Sequence, residues 1–355
     1  MRGPVTEGDG WLWRAAKLLV LAAAITVATL LLWQLSQVLL LVFGSILIAV
    51  LLRAAASPIT RLMRIPERWS VVLATLVIAA ALVTLIVLTG REFLSELALL
   101  LQTLPDLVDA AENRFGIDGL ADWLDRQRLA VLEPGGLVVN VASYSTTLFS
   151  VGAQLLVVLS GGVYLALFPQ RNLQGLLKLV PKPRQDLARD TLETLGNALR
   201  LWLLGQVASM VLIGALVTLG LTLLGIPSAL ALGIIAGLFE FVPLVGPVAS
   251  AVPSVVVGLA QSPATALWVV GLYVVIQQAE SILITPLVQQ YTVDLPPIVT
   301  IFALIAFGAL FGALGLLLAT PLAVVCLVLV TKLWVREVVE EEVTVPGEDT
   351  PDAAS

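Results

Sequence analysis

An all-α, polytopic membrane protein is predicted by three observations on this 355-residue sequence. Hydrophobic residues make up 59% of it and charged residues only 12%, against about 25% charged in ordinary soluble domains. Mean hydropathy is +1.02. The apolar residues also fall in repeated runs of roughly 20, the length a helix needs to cross hydrocarbon. Two stretches in the C-terminal half look broken or re-entrant.

Composition excludes several chemistries. The sequence has no histidine, which removes the commonest general base and metal ligand, so hydrolase triads and zinc sites fit poorly. Gly44-Ser45 faintly echoes an intramembrane serine protease, but no histidine can serve as its base. Cys326 is the only cysteine and lies in an apolar run; it rules out an internal disulfide framework and is expected to pack as a small hydrophobe. No enzyme activity, cofactor, metal or nucleic-acid partner is expected.

Residues 1–90 are expected to form N-terminal membrane helices. Spans at about 11–33 and 38–52, joined by the uncharged linker QLSQ, predict a tight helical hairpin. Arg14 and Lys17 before the first apolar run resemble a signal peptide. A second apolar segment follows at once with no small-residue cleavage pattern, so the run reads as a retained helix. The next loop, RAAASPITRLMRIPERW, carries Arg53, Arg61, Arg64 and Arg68 against Glu67 alone. Arginine-rich short loops stay cytoplasmic, so this loop and the N-terminus are expected to face inward. A third span covers about 70–89.

Residues 91–143 form the one sizeable polar insertion. Nine acids and four arginines over 91–140 suit an amphipathic helical arm on the outer face. Residues 144–200 hold a fourth span, about 144–168, and a segment with six basic residues against three acids over 171–200. Leu187, Leu192, Leu195 and Leu199 recur there at near-helical spacing, which predicts an interfacial or packed amphipathic helix.

Residues 201–335 differ in character. From Leu201 to Thr331 there is no lysine or arginine, and the only acids are Glu240, Glu280 and Asp294. The sequence GLFEFVPLVGP (237–247) breaks an apolar stretch with Pro243, Gly246 and Pro247 beside Glu240. Two prolines stop a regular helix, and a broken helix in hydrocarbon needs protein or water to take up its freed polar groups. Glu240 and Glu280 have no basic partner in this region. Each must be protonated, hold a cation, face water or meet a basic group from elsewhere. The structural alternative is a protonated carboxyl hydrogen-bonded between helices.

A second interruption, FGALFGALGLLLATP (307–321), contains Gly312, Gly315 and Pro321. Sliding the first broken stretch by 69 residues aligns Pro227 with Pro296 and Gly246 with Gly315. Paired interruptions in two units point to a midplane binding site. Between them lies IQQAESILITP (276–286), where Gln277, Glu280 and Ser281 share a helical face. Gln278 and Pro286 complete the candidate set, which suits a polar uncharged solute or a dehydrated cation. Interhelical hydrogen bonding is the alternative use of these groups. The last residues, 336–355, are rich in acids and are expected to form a disordered, solvated tail.

The blocks GIPSALALGIIAGLFEFVPLVGPVASAVPSVVV, QQAESILITP and FGALFGALGLLLATPLAVV resemble those of the autoinducer-2 exporter family, the PerM-like permeases. The likeness covers most of the chain. It departs from the family's common pattern at Leu204, before Gly205-Gln206, and at Leu287, after Pro286, where arginine is frequent, and at Leu295-Pro296. The resemblance implies a permease of about eight membrane segments in a bacterial cytoplasmic membrane, with both termini cytoplasmic, that moves a small polar solute such as autoinducer-2, coupled to protons or sodium. It also implies a homo-oligomer, with a pentamer as one size. A sodium/proton antiporter and, in another class, a membrane scaffold or assembly protein are the alternatives.

Overall fold

The computed structural model describes residues 8–81, 83, 84, 87, 134–284, 295–341, 343 and 345–348. Most of the polar insertion lies outside them, as do Pro286, Asp294 and the tail beyond Glu348. The described residues are mainly helical, with no strand among them, and five helices are long and apolar enough to cross a membrane.

The N-terminal hairpin expected from the linker QLSQ does not form. Helix α1 runs unbroken over Gly8–Met63, 56 residues, about 84 Å at 1.5 Å per residue. The linker contains neither glycine nor proline, and Ser36 returns its hydroxyl to the Trp33 carbonyl at 2.7 Å, a bond within the helix. A polar run without a breaker does not turn a helix. The turn comes later, at Arg64 (φ 53°), and α2 follows over 67–81. Helix α3, Pro134–Leu167, packs back on α1, where Ala49, Leu52 and Ala56 bury with Val71, Ala74 and Ala166.

The short α4, Pro169–Leu177, leads to α5, Gln185–Leu223. This helix passes straight through the expected boundary at 200/201. Its amphipathic start and its apolar continuation are one 39-residue rod, and the rest of the C-terminal half is built on it.

At the far end of α5 the chain reverses through Gly225 (φ 68°), with Ile226 N–H donating to the Leu221 carbonyl at 2.9 Å. Helix α6, Ala229–Phe239, descends along α5. Gly233 and Gly237 allow the close approach: a Cβ at Gly233 would stand 1.9 Å from Thr218 Oγ1, and one at Gly237 2.6 Å from the Met210 carbonyl oxygen. After the Pro243 break, α7, Val245–Gln261, climbs back, and Gln261 Nε2 donates to the Gly225 carbonyl at 3.1 Å. Both ends of this unit therefore lie together, so it is a re-entrant hairpin with no net crossing. Helix α8, Pro263–Ala279, starts from Ser262, whose hydroxyl accepts the Thr265 N–H at 3.0 Å, and continues as a π-helical turn, Glu280–Ile284.

Helix α9, Pro297–Leu329, is folded at Gly312 (φ 65°, ψ −145°) and ends in a π-helical segment, Val330–Arg336. In an unbroken helix residues eight apart stand about 12 Å apart. A Cβ on Gly315 would instead lie 2.0 Å from the Phe307 carbonyl oxygen, so this unit also reverses. Leu295 and Val328, near its two ends, share a core cluster with Ala198 and Leu199 near the start of α5. The two hairpins thus open toward opposite ends of α5. Cys326 is exposed on the outside of α9 rather than packed in the core.

The tail was expected to be disordered from residue 336, yet up to Glu348 it forms a strap. Lys332, 2% exposed, donates to Thr194 Oγ1 at 2.6 Å and pairs with Asp190 at 2.8 Å and Glu348 at 2.9 Å. Arg336 holds both Glu348 carboxylate oxygens and the Val343 carbonyl. Val345 is buried with Ala198 and Leu199. The acidic composition conceals one apolar anchor and one carboxylate claimed by two cations.

Two outcomes follow. Ala at Gly246 or Gly315 puts a methyl 2.0 Å from a backbone carbonyl oxygen. Each should lower stability by about 1–3 kcal/mol, read as thermal unfolding in detergent, while Gly271→Ala, with nothing within 4 Å, should not. The Arg336 and Lys332 cations hold the Glu348 carboxyl below its ordinary value. The strap's ionic stability is therefore complete above the unfolded value of about 4.3 and lost as pH falls through the lower folded value. Hydrogen exchange of 343–348 should rise across that window and should not do so in Glu348→Gln.

Candidate functional site

The tip of the first hairpin lies deep along α5. Gln206 Nε2 donates to the backbone carbonyl of Glu240 at 2.6 Å. Gln206 is 18 residues, about 27 Å, from Leu224 and 12 residues, about 18 Å, from Thr194. The break therefore lies well inside the length of α5, Gln185–Leu223.

Local chemistry accounts for the shape of the tip. Helix α6 ends with Glu240 N–H bonded to the Ala236 carbonyl at 3.0 Å. Pro243 has no N–H to continue the helix, and Leu244 makes the turn at φ 68°, ψ −46°, closed by Val245 N–H to the Pro243 carbonyl at 2.8 Å. A non-glycine residue held there costs on the order of 1–3 kcal/mol, and such strain tends to collect at functional sites. Gly246 then packs its bare Cα against the Phe239 carbonyl. Pro247 sits in the first turn of α7, with its carbonyl accepting the Ser250 hydroxyl at 3.1 Å.

Glu240 is 2% exposed, and its Oε2 has no hydrogen-bond partner among the described residues. The Glu280 carboxyl is close enough to act on it electrostatically. Glu280 Oε2 also accepts Gln277 Nε2 at 2.8 Å. Neither acid has a basic residue within ion-pair distance among the described residues, and none of them form a group of three metal-ligating side chains. Glu280 is half-buried, and two neighbouring carboxylates repel unless a proton or cation stands between them.

Glu240, Gln277 and Glu280 are thus brought together. Ser281 is exposed and spends its hydroxyl on the Gln277 carbonyl at 3.0 Å, and Gln278 is exposed; neither joins the cluster. In the second hairpin, Gly312 is the exposed bend, while Gly315 and Pro321 are buried. They bring no polar side chain. Phe307 and Phe311 of this hairpin pack on the same core as Phe241, the residue after Glu240, which meets Trp202 edge-on at 5.8 Å. Phe311 meets Phe307 of its own hairpin and Trp33 of α1.

Four polar residues escaped the sequence reading as site candidates. Gln206 appeared only as part of a Gly-Gln pair. Tyr273 lies one and two turns before Gln277 and Glu280 on the same face of α8. Its hydroxyl meets Ser254 Oγ at 2.9 Å and donates to the Ser250 carbonyl at 3.1 Å. Ser250 and Ser254, both buried, are spaced i, i+4 on α7. The available signal was a hydroxyl or amide recurring at helical spacing inside an apolar run.

The profile of the AI-2E family transporters matches residues 18–334. The chain belongs to the AI-2E family. YueF of Bacillus subtilis, provisionally named a transport protein, is 25% identical over 297 residues, covering 79% of this chain and 80% of YueF. A Mycobacterium tuberculosis protein with the same provisional description is 28% identical over 331 residues, covering 89% and 88%. PerM of Escherichia coli, provisionally named a permease, is 26% identical over 233 residues, 62% of each chain. The protein is accordingly a multi-pass membrane protein of a transporter family, built to work in a lipid bilayer on a solute.

Gln206 is the test of how the tip is held. Gln206→Leu leaves the Glu240 carbonyl without its donor and should cost about 1–3 kcal/mol, measured as thermal unfolding in detergent. Gln206→Glu cannot donate when ionised and should not rescue it.

Proposed function

We propose that the chain is a secondary transporter that moves a small polar solute, such as autoinducer-2, outward, driven by protons or sodium. The observation that carries this is the Glu240–Glu280 pair, with one Glu240 oxygen left without a partner. A lone structural carboxyl would have its hydrogen-bonding capacity filled by neighbours. An open acceptor beside a second acid is a place for a transferable cation. Glu240 and Glu280 would carry the coupling ion, with Gln277 orienting Glu280. Pro243, Gly246 and Pro247 would shape one wall of the solute path, and Gly312, Gly315 and Pro321 the other.

The opposed hairpins support reading α5–α6–α7 and α8–α9 as an inverted repeat, the arrangement in which two broken units meet near the bilayer midplane. The arginine bias of the loop after α1 supports a cytoplasmic position for that face and for the C-terminal strap, in a bacterial cytoplasmic membrane. With α1 continuous, the hairpin ground for an N-terminus on the same side is gone. Assembly into a homo-oligomer rests on the family resemblance.

The protein in proteoliposomes, with an imposed pH or sodium gradient, should accumulate labelled autoinducer-2 against its concentration. Glu240→Gln or Glu280→Gln should reduce that flux at least about a hundredfold, while the protein still inserts and elutes as the wild type. Undiminished flux with both glutamines in place would sink the proposal. Proton release on sodium addition without any solute would instead favour the antiporter, in which the same two acids exchange the ions alone.

A further inference from the structure

A second polar site stands apart from the transport path, where the arginine-rich face meets the membrane. A cavity of about 510 Å³ opens between the α1–α2 turn and the junction of α3 with α4. Its wall carries Arg53, Arg68 and Arg171 against one acid, Glu67. Arg53 already claims that acid at 2.5 Å and also reaches the Ala166 carbonyl. Arg68 lies over the Phe168 ring, 5.8 Å from its centre. Among the described residues neither Arg68 nor Arg171 has a carboxylate within ion-pair distance. Two guanidinium groups in one recess with no internal counter-charge define a site for an anion.

The shape of the donors narrows the anion. Guanidinium groups fork onto the paired oxygens of phosphate. The amide of Gln174 lies in the same wall. So do Pro169, Gln170 and Arg171, the first turn of the nine-residue α4, which has no side-chain cap; the N–H groups of Gln170 and Arg171 have no intrahelical acceptor.

Depth narrows it further. The apolar span Phe149–Leu167 ends where the cavity begins. Tyr164 and Phe168 pack 5.3 Å apart at that border, and Trp69 is 66% exposed beside Arg68. Aromatic residues at the end of a span mark the level of the lipid headgroups, and basic recesses between helices at that level hold acidic headgroups.

We propose that this recess binds the phosphate of an anionic phospholipid, with Arg68 and Arg171 as its counter-charges and the Arg53–Glu67 pair as its floor. The bound lipid ties α2 to the α3–α4 corner. Neither residue belongs to the Glu240–Glu280 site, so the lipid site stands or falls independently of the transport proposal.

Native mass spectrometry of the full chain in a neutral detergent tests it, titrating phosphatidylglycerol, phosphatidylcholine and free glycerol phosphate. Phosphatidylglycerol should occupy the protein at concentrations about tenfold lower than phosphatidylcholine, and Arg68→Gln/Arg171→Gln should erase that preference. Glu67→Gln frees Arg53 for the headgroup and should tighten binding about fivefold, a gain that a merely structural ion pair would not produce. Arg61→Gln/Arg64→Gln, outside the wall, should change nothing. Equal binding of the two lipids, or an equal loss with the Arg61/Arg64 pair, overturns the site. Competition by glycerol phosphate as strong as by the lipid overturns the lipid as its occupant. If the double variant fails to elute as folded protein, Glu67→Gln decides: unchanged or weaker binding overturns the proposal.

Discussion

A helix interrupted in the middle of a bilayer leaves amide and carbonyl groups that hydrocarbon cannot satisfy, each at a cost of a few kcal/mol. That cost governs the C-terminal half of this protein. The first tip meets it with an amide from α5, Gln206, on the Glu240 carbonyl, and with a tight turn at Leu244. In both hairpins a glycine lets the returning arm lie directly on a carbonyl of the outgoing one, Gly246 on Phe239 and Gly315 on Phe307. The breaks are tolerable because neighbouring backbone and side chains close around them.

The position of the acids follows from the same arrangement. Helix α5 serves as a common rod: one hairpin is anchored at its Leu221–Gly225 end, the other near Asp190–Leu199. Helix α8 descends from the first base, and Glu280 arrives opposite the first tip and Glu240. Had the first hairpin crossed the membrane completely, the two carboxyls would have ended at different depths. An acid pair at this depth is therefore a consequence of re-entrant geometry.

Much of this was legible in residues. Mean hydropathy and the near absence of charge between Leu201 and Thr331 state a membrane module with few polar groups, so each remaining acid stood out. Proline and glycine marked both interruptions because they fail locally, whatever surrounds them. Where the sequence misled, the local signal was weak or was outweighed. QLSQ looks like a loop because it is polar, yet it contains nothing that stops a helix, and α1 continues through it. The tail looks solvated because it is acidic, yet Val345 and Glu348 find partners on α5 and α9 that composition does not reveal.

Sequence alone determined the all-α membrane architecture, the two breaks, and Glu240 and Glu280 as unusual, since each of these rests on the energetics of single segments against lipid. Only the tertiary structure decided that both breaks are reversals opening toward opposite ends of α5, that Gln206 closes one of them, and that the two acids face each other while Gln278 and Ser281 do not take part. Those are distances between segments 34 to 40 residues apart or more. They depend on how closely helices approach, which is set by small residues such as Gly237 against the Met210 carbonyl and by no property of either segment taken singly.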